Sequence, residues 1–166
     1  MATPTTRSRA LTAAGLVASA GLLLTGCSML PGSAPERDET GQITESQDNA
    51  DVFAIEVGDC LNETTGTVVS SVPVVPCGEP HDEEAFFAFN LTDADLPGDD
   101  AIAEQAEATC GPEFESFIGL AYDQSTLDWY YYSPTSSSWA DGDREVLCIA
   151  LDPAGQVTGS LAGAAR

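Results

Sequence analysis

The chain has 166 residues and a formal net charge of −22, from 27 acidic and 5 basic side chains, with no lysine. A surface this negative repels phosphate backbones and anionic headgroups, so nucleic acid is excluded as a partner. Apolar residues make up 43% of the chain, enough for one packed domain. The acids fall in no EF-hand spacing, and Arg144 offsets the short run Asp141-Gly142-Asp143, so no metal site and no cofactor are expected.

The N-terminus carries Arg7 and Arg9, then an uncharged apolar stretch from Ala10 to Leu24. That stretch falls short of the roughly 20 residues a spanning helix needs and fits the apolar region of a secretory signal. It closes on Leu24-Thr25-Gly26-Cys27, which resembles a bacterial lipobox. The resemblance implies cleavage before Cys27 and a diacylglycerol, typically with palmitate, on its thiol. Residues 1–26 are then a lipoprotein signal peptide, and the protein sits on the outer face of the cell membrane. Each buried methylene adds about 0.8 kcal/mol of membrane affinity, so two acyl chains anchor firmly. Residues 27–51 are rich in Ser, Pro, Gly, Thr and acids and are expected to be a lipidated flexible tether, with a span on the order of 25 Å. Residues 52–166 form the extracytoplasmic domain.

Within it, Phe53 to Val57 alternates as a strand and Gly58-Asp59 breaks it. Thr67 to Val75 reads as a second strand, with Pro73 at an edge or an interruption. Glu84 to Asn90, with Phe86, Phe87 and Phe89, reads as a third. A helix follows: Ile102, Ala106, Cys110, Phe114 and Phe117 recur on one face, Asp99 or Asp100 can cap it, and Gly111-Pro112 should kink or split it. Leu127 to Ser133 is an aromatic strand and Pro134 to Asp143 a long turn. Glu145 to Leu151 is apolar on both faces, as a central covered strand requires. Gln156 to Leu161 makes a short last strand. The pattern predicts an α+β domain: an antiparallel sheet packed against one helix, with two disulfides.

Five cysteines are an odd number. Giving Cys27 to the lipid leaves Cys60, Cys77, Cys110 and Cys148, an even set that in an exported chain reads as two disulfides. Three pairings are open, and Cys60–Cys77 with Cys110–Cys148 is favoured because it staples neighbouring segments. None of the four forms a C-x-x-C pair, which argues against zinc or redox chemistry.

Several fragments together resemble a known family: Val57-Gly58-Asp59-Cys60-Leu61, then Val75-Pro76-Cys77-Gly78-Glu79-Pro80-His81 with Glu84, Cys110 in the helix, then Pro134, Trp139, Gly142, Arg144 and Cys148, and Gly159-Ser160-Leu161 near the end. The constellation is similar to the septum formation domain of actinobacterial envelope proteins and covers about residues 53–161. The resemblance implies a role in the cell envelope or the septum and brings no catalytic residues with it.

His81 is the one histidine, in Pro80-His81-Asp82-Glu83-Glu84. It could serve an envelope enzyme or a metal site with nearby carboxylates, but it lacks a histidine partner, and a structural role is the simpler expectation. No Gly-x-Ser-x-Gly elbow occurs, and S-x-x-K is impossible without lysine. The chain therefore reads as a non-catalytic binding or scaffolding module. Its candidate ligand-binding residues are Trp129, Tyr130, Tyr132 and Trp139, with an envelope protein or peptidoglycan as partner. Alternation sets Leu127, Trp129 and Tyr131 on one face, and Tyr130 and Tyr132 on the other.

Overall fold

The computed structural model of the protein describes residues 32–66 and 69–166. The expected signal peptide and Cys27 lie outside the described residues. Six strands form one antiparallel sheet: β1 (Gln47–Asp51), β2 (Cys60–Leu61), β3 (Ser71–Val75), β4 (Glu83–Asn90), β5 (Asp128–Tyr132) and β6 (Glu145–Leu151). Their order across the sheet is β1-β3-β2-β4-β6-β5. The main helix α1 (Asp99–Ile118) lies between β4 and β5 in sequence, and a short helix α2 (Ser136–Ala140) between β5 and β6. No helix among the described residues is long and apolar enough to cross a membrane.

α1 packs on one face because Ile102, Ala106, Cys110, Phe114 and Ile118 repeat every fourth position and are all buried. The helix is a single continuous element through Gly111-Pro112, not split there. Its N-cap is Gly98, with no side-chain cap bond; Asp99 and Asp100 stand in the first turn, where they complement the dipole. Gly119 ends it in the left-handed region at φ 81°, donating its N–H to the Glu115 carbonyl.

β6 is an interior strand, between β4 and the edge strand β5, and is covered on both sides. Val146, Cys148 and Ala150 join the α1-side core with Phe114 and Leu161. Leu147 and Ile149 join the opposite core with Leu61, Val72, Val74 and Ala85. A bulge in β4 between Ala85 and Phe87 breaks strict alternation. It turns Phe86, Phe87 and Phe89 all toward α1, and Phe86 stacks on Phe117 at 5.5 Å and meets Phe114 edge-on at 5.8 Å.

Both disulfides, Cys60–Cys77 and Cys110–Cys148, are formed. The first ties β2 to the turn after β3; the second ties α1 to β6. Pro73 lies inside β3, between β1 and β2. Its carbonyl accepts from the Asn62 N–H at 3.0 Å, just past the end of β2, so the missing proline donor falls where the ladder has already ended.

Four expectations are corrected. From Ser33 onward the segment expected to be tether is part of the fold: β1 pairs with β3, Ile43 and Ala50 are buried, and Ser33 bridges Ala50 in parallel. Arg37 explains why a polar stretch docks. Its guanidinium grips the buried Asp59 carboxylate with both nitrogens, at 2.5 and 2.6 Å, and also donates to the Gly41 and Ala54 carbonyls. Phe53 to Val57 is not a strand; Val52–Ala54 is a 3-10 turn with Asp51 accepting from the Phe53 N–H, which leaves Phe53 exposed and only Ile55 buried. Gln156 to Leu161 forms no strand, only a bridge from Val157 to His81. The expected turn from Pro134 to Asp143 holds α2, whose start is a capping box between Thr135 and Ser138.

Candidate functional site

Alternation in β5 sends Trp129 and Tyr131 against the α1-side core and Tyr130 and Tyr132 against the opposite one. The sheet curls around that second core. Val69, just before β3, shares a cleft of about 490 Å³ with Tyr130 and Tyr132, although β3 and β5 are far apart in the strand order. A second hollow of about 360 Å³ shares Val69 and Tyr132 and continues toward Thr135 and Ser138. In the cleft the two tyrosine rings meet edge-to-face, with centroids 5.5 Å apart at 86°. The Tyr130 hydroxyl donates to the Tyr132 hydroxyl at 3.0 Å.

Glu83, the first residue of β4, completes this cleft and was not singled out by the sequence. It is only 5% exposed, and its Oε2 is buried with no hydrogen-bond partner among the described residues. Burial holds its carboxyl above the ordinary range. Burial, and then the neighbouring Glu83 carboxylate, push the Tyr130 phenol far above its ordinary value. Burial also raises Tyr132. The one hint in the sequence is the double acid Glu83-Glu84 at a strand start, where alternation must send one carboxylate to each face.

The four aromatic candidates therefore separate. Tyr130 and Tyr132 act together. Trp129 faces the other side, along a groove with Glu107, Pro112 and Tyr122. Trp139 packs toward the α1-side core with the Arg144 guanidinium 3.6 Å over its ring, and its carbonyl accepts from Arg144 Nη1.

His81 is fully buried. Its Nδ1 donates to the Glu79 carbonyl at 2.8 Å, and its backbone exchanges both bonds with Val157. No face of the ring is open to a substrate. Glu84, on the α1 side, accepts from the Leu161 N–H at 2.6 Å and the Ser160 hydroxyl at 2.7 Å. Burial still raises its carboxyl above the ordinary range. Among the described residues the donor group close enough to share an ion is Cys60, Cys77 and Glu84. The two sulfurs are bonded to each other, which removes the thiolates a metal would need.

A family model described as septum formation matches residues 27–164. No curated protein and no solved structure matches the chain.

Proposed function

The chain belongs to the septum formation family, and from that premise we propose that it is a non-catalytic binding or scaffolding module of the cell envelope. On this reading it is held on the outer face of the membrane by a lipid on Cys27, and it engages an envelope protein or peptidoglycan through the cleft of Tyr130 and Tyr132. The observation that supports it is the contrast between the two polar centres. Tyr130, Tyr132 and Glu83 line a cavity, whereas the histidine is sealed in the core. A general base must reach the proton it takes, and His81 does not reach the surface. The family match supports the envelope setting, and the run ending at Cys27 supports the anchor.

Two measurements test the reading. Palmitate labelling of cells should mark the full chain and be lost in Cys27→Ser; labelling that persists in the variant overturns the anchor. Co-sedimentation with purified cell-wall sacculi should fall several-fold in a Tyr130→Ala, Tyr132→Ala double variant of normal circular dichroism. Equal sedimentation of variant and wild type overturns the cleft as the wall-binding surface.

A further inference from the structure

Glu83 poses a chemical question that the fold leaves open. A carboxylate oxygen withdrawn from water without a donor is costly, and such groups are normally paired. Glu84, its neighbour in sequence, has both oxygens occupied. Glu83 has one oxygen unpartnered beside a cleft of about 490 Å³. The rim adds Glu63, Asp82 and Asp152, of which Asp152 is already paired with Arg166. Among the described residues no basic side chain lines the cleft.

We propose that Glu83, Tyr130 and Tyr132 form a receptor for a primary alkylammonium group, a deepening that rests on the binding-module reading above. The ammonium would pair with the Glu83 carboxylate from the cleft side and lie against the tyrosine rings, whose faces attract cations. A calcium-like ion fits poorly, since it needs six or more oxygens, and of the two carboxylates with buried side chains lining the cleft among the described residues Asp152 is already paired with Arg166, leaving Glu83. The chain has no lysine, so none of its own side chains supplies a primary amine. The same chemistry could arrive on a peptide side chain or as a free diamine.

The test uses the full chain in detergent with carbon-13-labelled tyrosine rings. It is titrated separately with Nα-acetyl-lysine methylamide, as the peptide source, and 1,5-diaminopentane, as the free source. The expected result is a saturable shift of the Tyr130 and Tyr132 resonances with at least one of them; the tighter ligand identifies the source. Glu83→Gln should weaken binding by about tenfold or more, as loss of a charge-assisted hydrogen bond implies. The N-acetylated, uncharged form of each ligand should give no saturable shift. Absence of saturation with both amines, equal binding of the uncharged forms, or unchanged affinity in a folded Glu83→Gln overturns the proposal. The uncharged ligands decide the matter even if that variant does not fold. The titration needs neither lipid nor envelope, so its failure would remove the amine site and leave the anchored-module reading standing.

Discussion

Glu83 and Glu84 are neighbours on one strand and face opposite sides of one sheet, and burial raises both carboxyls. On the α1 side, Glu84 fastens the C-terminal tail, accepting from Leu161 and Ser160. On the curled side, Glu83 fastens nothing with one of its oxygens. On the first face, helix, disulfide and tail close over the core containing Phe114 and Leu161, leaving the groove along Trp129 at its edge. The second is finished only at its β1 end, where the segment around Arg37 and Ile43 packs down. Near β5 it stays open as a cleft. Equal burial of the same side chain therefore carries two meanings, and partners tell them apart.

The comparison can be broken by substitution. Phe114→Ala removes a fully buried ring from the first face and should cost about 3–5 kcal/mol, read from the urea midpoint at constant slope. Arg37→Ala should cost a similar 3–5 kcal/mol or slightly less, because it strands the buried Asp59 carboxylate at the finished end of the other face. A loss under about 1 kcal/mol would mean the Arg37 segment is only loosely docked. Glu84→Ala leaves the Leu161 N–H buried without an acceptor and should cost about 1–3 kcal/mol.

Glu83→Gln should be the mildest, within about 1 kcal/mol of wild type at pH 7 and in the stabilising direction, since it removes a buried charge with no partner for one oxygen. It also sharpens the pH behaviour. With a folded pKa raised above the ordinary 4.5, Glu83 keeps its proton in the folded state at pH values where the unfolded chain has lost it. Its stabilising contribution is therefore full at acidic pH and is lost as pH rises from the unfolded value through the raised folded one. Glu84 and Glu145 shift in the same direction. Melting temperature should then be higher at about pH 5 than at about pH 7, and Glu83→Gln should make that slope shallower. A slope unchanged in the variant would place the effect elsewhere.

Elements set by local periodicity were readable before the structure. The i, i+4 stripe of α1, the two apolar faces of β6 and the opposed faces of Tyr130 and Trp129 all follow from spacing alone. Of the three pairings open in the sequence, the favoured one, joining neighbouring segments, is the one formed. What escaped depends on distant partners. Nothing near Arg37 announces Asp59, so a polar stretch passed for a tether. The bulge at Phe86 is set by the β4–β6 register, so the three phenylalanines gave no sign of sharing a face. Thr135 and Ser138 do form a capping box, but it was hidden in a run of hydroxyl residues. Glu83 was overlooked for the same reason as Arg37: a carboxylate becomes a site only through the absence of a donor, and absence has no motif.

The docking of Ser33 against Ala50 has a consequence for reach. With the proposed lipid on Cys27, about six residues separate the bilayer from the folded body, at most on the order of 20 Å when fully extended. A separation that short would restrict tumbling and confine an anchored domain to a thin layer over the membrane. Partners would be met by lateral diffusion in two dimensions, and a wall strand lying farther out would be out of range. Lengthening the segment before Ser33 should widen the layer that the protein can search without altering its affinity for anything in it.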